Sequence, residues 1–127
     1  MENKKTVILG AGHVGSHCAY ALAGAGLCVV DVCREKAQAQ ALDVADSTAF
    51  FPRPVTVRAG GHEECADASL VVVAIGEPRK PGQTRLDLLG RSVELLRVLA
   101  DQLRPFGIGC PIVTITNPAD IVADYLR

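Results

Sequence analysis

The strand-like segment Thr6-Val7-Ile8-Leu9 runs directly into Gly10-Ala11-Gly12-His13-Val14-Gly15, and a helix-compatible stretch follows at once. A G-x-G-x-x-G run says little in isolation. Between a strand and a helix it constrains the fold strongly, because each glycine answers a separate steric demand. Gly10 permits the tight turn, Gly12 lets a pyrophosphate approach the backbone, and Gly15 lets the helix sit close to the strand. His13 and Val14 complete the turn, where free N–H groups at the helix start face phosphate. The next apolar run ends at Asp31, about 20 residues past the first glycine, the usual place for an acid that accepts hydrogen bonds from both hydroxyls of an adenosine ribose. A carboxylate there repels a 2'-phosphate, so the pattern predicts NAD rather than NADP. The competing reading is a βα turn whose glycines serve packing only, with Asp31 an ordinary strand-end residue. The co-occurrence of turn and acid favours the nucleotide.

At 127 residues the chain has room for one domain, 1–127, and no second. Its 49% apolar and 21% charged residues are ordinary for a packed α/β domain. A net charge of −1 and 4% aromatic residues point away from nucleic acid and from anionic membrane surfaces. No apolar stretch approaches the roughly 18 residues of a membrane span, and the N-terminus lacks the apolar core of a signal peptide. Cys18, Cys28, Cys33, Cys65 and Cys110 are odd in number and form no C-x-x-C pair, which fits reduced thiols of a cytoplasmic protein. His13 and His17 are four residues apart, but no third ligand stands near them, so no metal site is expected.

Apolar strands alternate with amphipathic segments throughout, the pattern of βαβ units in a parallel sheet. The expected strands are Thr6 to Leu9, Cys28 to Val32, Val55 to Arg58, Leu70 to Ile75 and Pro111 to Thr116. The run from Leu70 to Ile75 is apolar on both faces and is expected to be central. Expected helices cover Val14 to Ala25, Glu35 to Ser47, Leu86 to Leu103 and about Ala119 to Leu126. In the third, Leu88, Leu89, Val93, Leu96, Leu99, Ala100 and Leu103 recur at helical spacing and predict one buried stripe. Between Gly76 and Arg85, two prolines and two glycines forbid regular structure, while three cations give the segment charge. Its place at the carboxyl end of a strand suits either a lid over an anionic ligand or a solvated connector.

In this order, GAGHVGSHCAYAL, VVDVCREKAQAQALDVADS, KPGQTRLDLLGRSVELL and TITNPADIVADYL resemble the NAD-dependent lactate and malate dehydrogenases over essentially the whole chain. The resemblance implies a Rossmann-type doubly wound parallel sheet of about five strands that binds NAD. It implies a small 2-oxo or 2-hydroxy acid as substrate and a homo-oligomer for the full-length enzyme. Gly10, Gly12 and Gly15 match the phosphate-turn glycines and Asp31 the ribose-binding acid. Arg85 matches the lid arginine that polarises the reacting carbonyl. The alternative for Arg85 is a solvated cation, poorly placed at a helix start. Arg79 matches the position that separates substrates: arginine there is malate-like, whereas the flanking motifs resemble bacterial L-lactate dehydrogenases. Asn117 matches the asparagine near the nicotinamide ribose and the substrate oxygen. It would equally suit capping of the following helix, with Pro118 at its first position.

Three departures accompany the resemblance. The family's catalytic histidine, the aspartate that orients it and a second arginine belong to a substrate domain that these 127 residues do not contain. The chain alone is therefore expected to be inactive, and a truncated, non-catalytic NAD-binding module is the alternative from a different class. His62 precedes a surface-like Glu-Glu pair and does not replace the missing acid. The segment from Gly26 to Asp31 is about four residues shorter than the family pattern, a loss that at about 3.3 Å per residue would displace Asp31. Ala39 stands where glycine is common, a mild change in a helix interior.

Overall fold

The computed structural model describes residues 4–127. Its strands are β1 (Thr6–Leu9), β2 (Leu27–Val30), β3 (Val57–Ala59), β4 (Leu70–Val73) and β5 (Ile112–Thr114). They alternate with helices α1 (His13–Leu22), α2 (Arg34–Ser47), α3 (Arg85–Leu103) and α4 (Ala119–Leu126). All strand pairs are parallel, in the order β3-β2-β1-β4-β5. The chain builds outward from β1 to β3, crosses back and continues on the far side, which is the doubly wound sheet that the alternating pattern predicts.

The period of two along each strand divides the core between the sheet faces. Ile8, Leu27, Val29 and Val72 pack with Ala19 of α1 and Ala37 and Ala41 of α2, small residues that let these helices lie close to the sheet. Val7, Leu9, Cys28, Val71 and Val73 meet Leu99 and Leu103 of α3 on the other face. β1, paired on both edges, is buried along its whole length.

The strands are shorter than the apolar runs that encode them. β2 stops at Val30, leaving Val32 93% exposed, and β4 stops at Val73 rather than Ile75. The last rungs are Gly10 N–H to the Val30 carbonyl and Ala74 N–H to the Leu9 carbonyl, both 2.8 Å. Beyond Leu9 the central strand turns away and offers no further ladder partner. β5 is likewise trimmed to Ile112–Thr114, and β3 is shifted to Val57–Ala59 from the expected Val55 to Arg58. α1 ends at Leu22 and passes through a 3-10 turn, Ala23–Ala25, to Gly26, whose φ of +79° suits glycine.

The expected stripe on α3 is buried only in its second half, at Leu96, Leu99 and Leu103. Leu88 and Leu89 are half-buried and Val93 is 39% exposed. Length is the reason: 19 helical residues span about 28 Å, whereas a strand of four covers about 13 Å. The start of α3 extends past the sheet that would cover it.

Candidate functional site

Strand order reverses between β1 and β4, and open α/β sheets take ligands in the crevice beyond such carboxyl ends. A cleft of about 400 Å³ lies there. Gly10 and Gly12 border it below, the turn from Asp31 to Cys33 forms one side, and Leu95, Val98 and Leu99 of α3 form an apolar wall.

The three glycines of the turn have different physical reasons. Gly10 has φ +109°, and a Cβ there would strike the Ala74 carbonyl oxygen. A Cβ on Gly15 would overlap the Gly10 carbonyl oxygen, so the seating of α1 on the turn depends on its absence. Gly12 has ordinary extended geometry, φ −75°, and an added Cβ would meet nothing within 4 Å. No protein group demands glycine at that point. Gly12 is also the N-cap of α1 and provides no side-chain cap, leaving the first-turn N–H groups to an outside acceptor.

Asp31 closes the other side of this turn. One carboxylate oxygen accepts the Ala11 N–H at 2.7 Å and the other the Cys33 N–H at 2.9 Å, so the side chain clips the glycine turn to the approach to α2. Each oxygen retains capacity for a further donor. The short connection after α1 does not carry Asp31 away from the turn: Thr6 pairs with Leu27 and Leu9 with Val30, so β1 and β2 stay in step up to the acid.

His13 and Val14 are exposed and lie with His17 and Cys18 on the outer face of α1, not in the cleft lining. What they present to the turn is their backbone N–H groups. Ring Nδ1 of His17 is hydrogen-bonded to the His13 carbonyl oxygen. Among the described residues, no three His, Cys, Asp or Glu side chains converge, and all five cysteines are free. No described helix is long and apolar enough to cross a membrane.

Among the cleft residues that the sequence reading did not place there are His62 and Lys36. The Glu-Glu pair after His62 is not simply surface. Glu64 accepts Arg58 Nη2 at 2.6 Å and Lys5 Nζ at 2.9 Å, and the Arg58 bond above all brings its carboxyl down to about 2. This anchors the turn that holds His62 at the carboxyl end of β3. That position, shared by all ligand-facing loops of such a sheet, was the available signal. Burial pushes the His62 imidazole below its ordinary value, opposed by Glu63.

Arg79, Arg85 and Asn117 do not line this cleft. Arg79 Nε donates to the Gln83 carbonyl at 3.1 Å within its own loop, and Lys80 N–H donates to Gln83 Oε1 at 2.9 Å. Glu77 accepts Arg91 of α3 at 3.0 Å. Thr84 and Asp87 form a capping box, with Asp87 N–H to Thr84 Oγ1 at 3.2 Å, and Arg85 is the exposed first residue of α3. Asn117 is exposed and does not cap α4: Pro118 is the N-cap rather than the first helical residue, no side chain caps the helix, and the Asn117–Pro118 bond is cis. The preceding Thr116 donates to the Ile75 carbonyl at 2.6 Å, tying the end of β5 to the root of the Gly76 to Thr84 loop.

Open space over Gly12, in a turn where Gly10 and Gly15 are dictated by sterics, suits a ligand that comes down onto the backbone; with the acid just past β2 clipped to the same turn, the fold is that of a dinucleotide-binding domain. Residues 4–127 match the family described as lactate/malate dehydrogenase, NAD binding domain. The chain belongs to that family, and its cofactor is NAD. It is 38% identical over 126 residues to an L-lactate dehydrogenase of Halalkalibacterium halodurans, covering 96% of this chain and 41% of that protein. Among solved structures, the minor L-lactate dehydrogenase from Enterococcus mundtii superposes with a TM-score of 0.90 at 38% identity, over 97% of this chain and 40% of that one. The malate dehydrogenase from Picrophilus torridus gives 0.89 at 26% identity, over 97% and 41%. The chain thus spans about two fifths of the length of these relatives.

Proposed function

We propose that this chain is the nucleotide-binding part of an NAD-dependent L-2-hydroxy-acid dehydrogenase that moves a hydride between NADH and a small 2-oxo acid, with lactate and pyruvate as its substrate pair. The observation that carries the reading is the opening over Gly12 beside the carboxylate of Asp31. Bound NADH supplies the hydride. The N–H groups at the start of α1 hold the pyrophosphate, and Asp31 uses its remaining acceptor capacity for the ribose hydroxyls. Asn117 orients the substrate oxygen. Arg85 polarises the reacting carbonyl and stabilises the negative charge that develops on its oxygen. Folding of the Gly76 to Thr84 loop over the site excludes water and strengthens that interaction. The full-length enzyme is a cytoplasmic homo-oligomer in this reading.

A malate and oxaloacetate reading rests on Arg79. Its guanidinium is engaged by its own loop through Nε, which leaves the terminal nitrogens for a second carboxylate. In the enzyme that carries this domain, Arg79→Gln then lowers kcat/KM for oxaloacetate far more than for pyruvate, and equal losses remove Arg79 from substrate selection.

An NADH fluorescence titration of this chain beside Asp31→Ala tests the nucleotide reading. Saturable binding that the variant weakens by about tenfold or more is expected for loss of charged hydrogen bonds. Absence of binding to the unaltered chain overturns it.

A further inference from the structure

We infer that His62 and Lys36, which line the same cleft as Asp31, let the domain admit a 2'-phosphorylated dinucleotide increasingly as pH falls. The inference rests on the nucleotide-binding reading above and adds a selectivity device to it. A 2'-phosphate brings up to two negative charges next to Asp31, and only positive partners in the same space relieve that repulsion. Asp31 already accepts two backbone donors, Ala11 N–H at 2.7 Å and Cys33 N–H at 2.9 Å. Lys36, the third residue of α2, lines the same cleft with its ammonium-bearing side chain. His62 enters from a different element, the turn after β3, and is half-buried there.

The groups that share the cleft with His62 are Asp31 and Cys33 from the β2–α2 connection, Lys36 from the first turn of α2 and Glu77 from the β4–α3 loop, while Glu63 acts on it from its own turn. Burial outweighs the attraction of Glu63, so the imidazole is neutral at neutral pH and gains its proton only in the acid range. In the neutral form it offers a flat face and one ring donor to an adenosine. Protonation adds one positive charge to the cleft that Lys36 also lines, whose apolar wall of Leu95, Val98 and Leu99 makes screening weaker than in open water. Selection by Asp31 against the 2'-phosphate is thereby relaxed without any change of conformation.

Calorimetric titration of the chain with NAD+ and with NADP+, at about pH 8 and about pH 5.5, reads this directly. The ratio of the NADP+ Kd to the NAD+ Kd is expected to fall by about tenfold over that interval, the effect of one added charge partner. In His62→Gln it falls only by the part that the 2'-phosphate's own titration near about pH 6 contributes. Lys36→Ala, a change at an exposed position, raises the ratio at both pH values. A His62→Gln ratio that follows the unaltered chain overturns the inference, as does a ratio that Lys36→Ala leaves unmoved. Failure of NAD+ to bind at either pH would instead defeat the nucleotide-binding reading itself; NAD+ binding with an unmoved ratio removes the role of His62 and Lys36 and leaves that reading intact.

Discussion

At the glycine-turn end of the molecule, backbone sits against backbone so closely that a methyl group on Gly10 or Gly15 has nowhere to go, and Asp31 ties the turn to α2 with both oxygens. At the opposite extreme, the loop from Gly76 to Thr84 and the first half of α3 depend on an exposed ion pair, a capping box and contacts within the loop. The first region is preorganised, with its cost met by core burial on both sheet faces. The second has few buried apolar contacts, which suits the proposed role of a segment that moves over a ligand. In the proposed reading, phosphate recognition would use backbone groups and tolerate no slack, whereas closure over a substrate would need a low barrier.

The largest effects should fall in the rigid region. Gly15→Ala is expected to lose about 3 kcal/mol or more of stability and to abolish NADH binding, because the new Cβ overlaps the Gly10 carbonyl oxygen. Urea denaturation with a parallel fluorescence titration checks both; unchanged stability would show that the turn yields more than its geometry implies. Gly12→Ala sharpens the point, since nothing in the fold opposes it: stability should change by about 0.5 kcal/mol or less while NADH affinity falls.

Next comes the contrast within α3. Leu99→Ala should cost about 2–5 kcal/mol by leaving a cavity against β1 and β4, whereas Val93→Ala at a 39% exposed site should cost about 1 kcal/mol or less. Equal losses would mean that the first half of the helix is better packed than its exposure indicates.

The Glu64 anchor predicts a pH dependence. Its carboxyl is depressed in the fold from 4.5 to about 2, chiefly by Arg58 and then by Lys5. The stabilisation is therefore complete above about pH 4.5 and is lost as pH falls toward about 2. Glu64→Gln should remove that acid slope in denaturation profiles; an unaltered slope would assign it to other carboxylates. The smallest effect belongs to the Gly76 to Thr84 loop. Glu77→Ala breaks an exposed pair with Arg91 and should change stability by about 1 kcal/mol or less, yet limited proteolysis should cut the Gly76 to Thr84 loop faster.

Much of this was legible because it is local. The spacing of Gly10, Gly12, Gly15 and Asp31 records steric and electrostatic demands made within one βαβ unit, and the alternation of apolar runs with amphipathic segments predicts a parallel sheet of five strands. What failed was non-local. Val32 and Ile75 carry as much strand propensity as their neighbours, but a strand ends where its partner stops supplying hydrogen bonds. Leu88 and Val93 fit the helical stripe, but the sheet is too short to cover them. Asn117 had the composition of a cap, and the cap position went to Pro118.

The sequence by itself determined the fold class, the glycine turn and the place of the acid beside it, because each arises from residues close together in the chain. Only the tertiary structure decided that His62 and Lys36 share a cleft with Asp31, and that Arg79, Arg85 and Asn117 stand outside it. Those placements depend on how segments dozens of residues apart are brought to one end of a sheet, and no local spacing encodes that distance.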